Sequence, residues 1–215
     1  MNPIKVVGVC TANVGRSPVL EAVLRYELQT RGIEQVDVRS AGTNVENILK
    51  NTVSLARELR IFDAGLHHGL VRTEIRKKIE DVLARGPEQE NTDDIRALYA
   101  EVRPLVHGYL VAMRNQALRE AGLSHFPAPY TPFQPATDIT LFLPVNKAEG
   151  QKIGDAYKRK GIPTPVITTY GTFVGVEDLE DNIKGGLEEA RRVVAYFMDT
   201  RKKAIDIIVD TYGKR

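Results

Sequence analysis

The 215-residue chain sets 30 lysines and arginines against 28 aspartates and glutamates, for a formal net charge of +2, and contains one cysteine. Such a balance leaves no basic surplus of the kind nucleic-acid binding requires. A lone cysteine excludes an internal disulfide or a multi-cysteine zinc site, and no apolar run approaches a membrane span. The length suits one sizeable core, or one core with an inserted subdomain. The first ten residues are too short, and too soon part of a functional pattern, for a signal peptide, so the expectation is a cytoplasmic protein.

Ile4 to Val9 is short and β-branched, broken only by Lys5 and Gly8, which suits a strand buried in a parallel sheet. Ser17-Pro18 is a helix-start signal, the serine able to cap and the proline pre-set for the first turn. Between them lies Cys10-Thr11-Ala12-Asn13-Val14-Gly15-Arg16, a sharp turn in which Asn13 and Gly15 are the residue types that tolerate left-handed backbone. Successive N–H groups in such a turn form an anion-binding nest, the following helix adds its positive end, and Arg16 offers a planar fork to two oxygens. That field favours the thiolate of Cys10, the nucleophilic form. A thiolate beneath a bound phosphate is placed to attack phosphorus.

The run Cys10 to Pro18, followed by Glu21-Ala22, resembles the signature of low-molecular-weight protein-tyrosine phosphatases, whose fold and loop related arsenate reductases share. The resemblance implies that Cys10 forms a phosphocysteine and Arg16 binds the phosphate, while Asn13 and Ser17 brace the loop. Thr11, Ala12, Asn13, Val14, Gly15 and Ser17 would then form the substrate-binding rim. Ala12 stands where the family usually has glycine, and Gly15 where many eukaryotic members have a second cysteine.

Leu20, Val23, Leu24 and Leu28 recur at helical spacing up to Gly32, which predicts a helix over Ser17–Arg31. Val36 to Ser40 alternates like a strand and Ala41-Gly42-Thr43 turns out of it; by the resemblance, Ser40 hydrogen-bonds into the phosphate loop. Thr43 and Glu46 form a capping-box pattern for a helix running to about Arg60. His67-His68 lacks a third ligand nearby and reads as loop packing rather than a metal site.

From about residue 70 to 135 the chain leaves the family outline. Val71 to Leu83 predicts a helix ending at Gly86-Pro87, and Thr92 caps another carrying Ile95, Leu98 and Val102, which Pro104 should stop or kink. Leu105 to Leu118 continues at helical spacing to Gly122, and four prolines between Phe126 and Pro135 make an extended return. A helical insertion of two or three helices follows, suited to a lid, a substrate platform, a homodimer surface or padding. Asp138 to Pro144 and Thr164 to Thr168 predict two further strands, with a helix capped by Asn146 between them. Together these imply an α/β fold with a four-stranded, mainly parallel sheet flanked by helices.

Glu177-Asp178-Leu179-Glu180-Asp181 leads into a long final helix. In the phosphatase family an aspartate just before that helix is the general acid; Asp178 is the expected match and Asp181 the runner-up, the alternative being favourable charges at a helix N-terminus. The expected activity is hydrolysis of phosphate monoesters, phosphotyrosine in proteins or small aryl phosphates, with no metal or other cofactor. Arsenate reduction with an external thiol and non-catalytic phosphate recognition are the rivals.

Overall fold

A computed structural model describes residues 3–180 and 182–213. The first strand, β1 (Ile4–Cys10), is buried almost throughout and pairs in parallel with β2 (Val36–Gly42) on one side and β3 (Leu141–Pro144) on the other. Strand β4 (Val166–Ile167) adds to β3, so the described residues hold a four-stranded parallel sheet in the order β2-β1-β3-β4. Placing β1 centrally puts the loop after it at the carboxyl edge where the strand order reverses, the usual ligand site of open α/β sheets.

Helices cover both faces. On one, α1 (Arg16–Thr30) and the long C-terminal α8 (Gly186–Tyr212) share a core with β1 through Leu20, Leu24, Phe197 and Ile205. On the other, α6 (Lys147–Lys160) packs Ile153 and Tyr157 against Val7, Val9 and Phe142. A third core is wholly helical: α3 (Leu55–His67), α4 (Thr73–Arg85) and α5 (Asp93–Glu120) enclose Phe62, Ile79, Tyr99 and Val102. Short helices α2 (Val45–Leu49) and α7 (Tyr170–Val174) complete the order.

Several local expectations change. Helix α1 begins at Arg16 with Gly15 as N-cap and no side-chain cap, so Ser17 does not cap: its hydroxyl is turned into the phosphate loop. Asn13 takes the left-handed angle (φ 54°), whereas Gly15 has φ −106°. The single helix expected to run from Thr43 to Arg60 is two, α2 and α3, broken where Asn51 adopts φ 54°; the capping box fails because the Thr43 hydroxyl is drawn to Glu149. Pro104 neither stops nor divides α5. It is solvent-exposed, where water can serve the carbonyl it leaves unpaired, and the buried series Ile95, Leu98, Val102 and Val106 continues across it, so packing outweighs the lost bond. Helix α7 was not expected from the sequence, and β3 and β4 are shorter than predicted.

Candidate active site

The turn from β1 to α1 is built around its carbonyls. In a nest the N–H groups face inward, so the carbonyls face out and each needs a donor behind the loop. Here the oxygen of Cys10 accepts from Thr43 N (3.0 Å), that of Thr11 from Asn44 N (3.0 Å), and that of Asn13 from Tyr130 N (3.3 Å). The Val14 carbonyl accepts from Arg114 Nη1 at 2.9 Å. By contrast the N–H groups of residues 12 to 15 have no hydrogen-bond partner among the described residues. These donors are thus left available to an oxyanion. Gly42 is required where β2 passes the loop, since a Cβ there would lie 2.8 Å from both Asn13 N and Thr11 O.

Cys10 is buried and in no disulfide. Ser17 Oγ lies 3.0 Å from its sulfur and 3.0 Å from Asn13 Oδ1, its one proton serving a single acceptor at a time. Asn13, fully buried, donates through Nδ2 to the Ala128 carbonyl (3.4 Å). Arg16, also buried, donates from Nη1 to the Leu179 carbonyl at 2.9 Å. The arginine therefore joins the phosphate loop to the acidic segment before α8.

Cys10 and Arg16 open onto a cavity of about 130 Å³ lined by the loop, by Arg57, Arg60 and Ile61 of α3, by His107, Leu110 and Arg114 of α5, by Asn182 and Ile183 before α8, and by Glu189 in its first turn. Spacings of 57/60/61 and 107/110/114 are single helix faces, so two helices turn one side each toward Cys10. The sequence did not mark Arg57, Arg60 or Arg114. Burial pulls the Arg114 guanidinium down to about 10, and the charges of Cys10 and Glu21 raise it in part. His107 is pushed down to about 3 by burial and by the Arg57 and Arg103 charges, so it is a neutral ring at physiological pH. It shares a 2.7 Å hydrogen bond with the Tyr130 hydroxyl. Glu189 accepts from Nε and Nη2 of Arg192, at 2.8 and 2.7 Å.

Glu149 of α6 is a further residue the sequence did not mark. It accepts from Thr11 Oγ1 (2.9 Å) and from Thr43, and Lys152 pairs with it at 3.0 Å. Burial pushes its carboxyl up, but the hydrogen bonds from Thr43, Lys152 and Thr11 and the Lys152 charge outweigh burial and hold it below the usual range.

Two expected residues sit elsewhere. Ser40 does not reach the phosphate loop; its hydroxyl donates to Glu21 Oε2 at 2.7 Å, because Glu21 on α1 lies across from it and is shared with His125 at 3.0 Å. Asp178 does lie before α8, but it is not among the residues lining the cavity. Its carboxylate packs against Gly171, where a Cβ would come within 2.6 Å of Oδ1, and that oxygen is buried without a hydrogen-bond partner among the described residues. Asp181 falls outside the described residues. His68 accounts for half of the histidine pair: its ring contacts Tyr109 and its Nε2 lies 3.1 Å from the Ile183 carbonyl, tethering the segment that borders the cavity. No group of three potential metal ligands occurs among the described residues.

Comparison with known proteins follows the same division. Residues 5–61 match the sequence model of the low molecular weight phosphotyrosine protein phosphatases. Over 45 residues, 21% of this chain, the sequence is 47% identical to the low molecular weight protein-tyrosine-phosphatase PtpA of Staphylococcus epidermidis; the aligned stretch spans 29% of that relative's length. Among solved structures, a low molecular weight phosphotyrosine phosphatase from Vibrio cholerae O395 is similar with a TM-score of 0.58 at 14% identity, covering 98% of this chain and 99% of that one. The YwlE arginine phosphatase from Geobacillus stearothermophilus has a TM-score of 0.56 at 15% identity, covering 99% and 98%. At such identities these structures show a shared fold, and the sequence match shows that residues 5–61, which include the turn from β1 to α1, carry the family pattern.

Proposed function

We propose that the chain hydrolyses phosphate monoesters through a cysteinyl-phosphate, with phosphotyrosine in proteins or another aryl phosphate as substrate. The observation that carries this reading is the placement of Cys10 Sγ at the base of a loop whose N–H groups at residues 12 to 15 are unspent, with Arg16 beside it. The Cys10 sulfur attacks phosphorus as the bond to the leaving oxygen breaks. The loop N–H groups and Arg16 hold the equatorial oxygens, and Ser17 donates to the sulfur when it becomes the leaving group in the second step. Water then attacks the phosphocysteine, releasing inorganic phosphate and regenerating the thiolate. Backbone donors and arginine supply the positive field, so no metal is assigned a step.

The leaving oxygen needs a proton. We place the acid on Asp181 rather than Asp178: its chain neighbours Asn182 and Ile183 line the cavity, whereas Asp178 is packed beneath Gly171. Among the described lining residues the carboxylate is that of Glu189, and it is committed to Arg192. Arsenate reduction ranks lower because one cysteine in 215 residues leaves the second thiol to an outside molecule. The relatives' printed names extend the substrate choice to phosphoarginine, and the apolar patch of Ile61, Leu110 and Ile183 favours the ring of an aryl ester.

Acid quenching during turnover of an aryl phosphate, followed by mass spectrometry of the Cys10 peptide, tests the reading. A phosphate adduct on Cys10 is expected; steady turnover with no adduct, or turnover by Cys10→Ser, overturns it.

A further inference from the structure

A turn that points its N–H groups at a ligand must anchor its carbonyls elsewhere, and the anchors decide how rigidly the donors are aimed. Three of the four anchors described above are backbone N–H groups, two of them at the exit of β2. The fourth is a side chain from a different part of the chain. Arg114 lies on the last third of α5, is 2% exposed, and spends its fork entirely on neutral oxygens. Nη1 donates to the Val14 carbonyl (2.9 Å), Nη2 to the Pro127 carbonyl (2.9 Å) and to Asn115 Oδ1 (2.9 Å), and Nε to Asn115 Oδ1 (3.0 Å).

Burying a guanidinium costs free energy that hydrogen bonds to amide oxygens only partly offset. A neutral donor would have sufficed to satisfy Val14. The negative charges this cation feels are those of Cys10 and Glu21, and it lines the same cavity as Cys10 and Arg16. The return segment reinforces the contact: Pro127, Ala128 and Tyr130 all meet either Arg114 or Asn13.

We propose that Arg114 is a positioning residue of the oxyanion site, holding the Val14 carbonyl outward so that the neighbouring N–H groups stay aimed at the bound phosphate, and that the helical segment of residues 70–135 is thereby a brace of the catalytic loop. The proposal rests on the phosphatase reading, since it assigns Arg114 to the site that reading describes. Arg114 acts through Val14 and does not itself touch the reacting atoms.

The test measures competitive inhibition by orthovanadate alongside kcat, KM and thermal stability. Arg114→Met, which keeps bulk and removes every donor, should weaken vanadate inhibition by about tenfold or more, the scale of a lost charge-assisted hydrogen bond. It should also lower kcat more than it raises KM. Arg114→Lys should fall between, because one ammonium cannot bridge Val14 and Pro127 in the same plane. Added methylguanidine should restore vanadate affinity to Arg114→Ala. Leu118→Ala, in the buried face of the same helix, controls for destabilisation of α5 and should leave vanadate inhibition close to wild type.

Wild-type inhibition by vanadate in Arg114→Met overturns the proposal, as does an equal loss in Leu118→Ala. If the wild-type chain itself binds no vanadate, the phosphatase reading falls and this one with it; binding by wild type and Arg114→Met alike removes this one alone.

Discussion

The phosphate loop and the acidic segment that faces it are built on opposite principles. In the loop the carbonyls of Cys10, Thr11, Asn13 and Val14 are tied to β2, α5 and the return segment, and Asn13 and Ser17 are buried among their partners. In the acidic segment, four described residues have their carbonyls held by single side chains. Arg16 grips the carbonyl of Leu179, Arg192 that of Glu180, Tyr196 that of Glu177, and His68 contacts that of Ile183. On the function proposed above, the first region would receive the tetrahedral anion and the second would border the leaving group.

Removing the nucleophile should break this comparison most completely. Cys10→Ser should abolish turnover while phosphate or vanadate still binds, measured by calorimetry, because the four unspent N–H groups and Arg16 remain. Next in size, Arg16→Lys should lower kcat/KM by roughly a thousandfold. It loses the planar fork on phosphate and the grip on Leu179 together, so it disturbs both regions at once.

The acidic segment is tested by leaving groups. Asp181→Asn should slow hydrolysis of a poor leaving group by roughly a hundredfold, and of an activated aryl phosphate much less. Asp178→Asn should be close to neutral in the same assay. The reverse ranking would return the acid to Asp178. A smaller effect is expected at the opposite side of the loop. Glu149→Gln, which keeps its place among Thr11, Thr43 and Lys152 but loses the charge, should reduce kcat by roughly two- to fivefold.

The smallest effect concerns stability and not catalysis. His107 is held neutral with its pKa pushed down to about 3, while an unfolded histidine binds its proton near pH 6.5. Below that value the unfolded chain binds more protons than the folded one, so this stabilisation is present above about pH 6.5 and is lost as pH falls toward 3. His107→Gln should flatten that part of the acid limb in melting temperatures recorded against pH.

The chemistry of the phosphate loop was legible in the sequence because everything it needs is local. The cysteine, the proposed nest and the arginine fall within Cys10 to Ser17, between a β-branched strand and a helix start, and the periodicity of α1 and α4 and the caps at Thr92 and Asn146 are likewise short-range patterns. Elements failed to read where distant contacts overrode local signals. Pro104 marks a helix end by its own chemistry, yet α5 runs on because its buried face is rewarded on both sides. Thr43 has the pattern of a cap, yet Glu149, 106 residues away, takes its hydroxyl.

Site residues divide along the same line. Ser40 and Asp178 were assigned by position along the chain, and each found a better partner or a tighter place nearby, Ser40 with Glu21 and Asp178 against Gly171. Arg57, His107 and Arg114 had no signal in the sequence, being ordinary polar residues at helical spacing. Only the packing of α3 and α5 against the loop makes them part of the cavity. The sequence by itself located the cysteine-bearing turn after the first strand with its arginine, the four strands and most of the helices in chain order, since those depend on residues a few positions apart. Tertiary structure decided what holds the turn open and what walls the substrate, because a carbonyl that faces away from its own loop can be satisfied only by a group that folding brings from elsewhere.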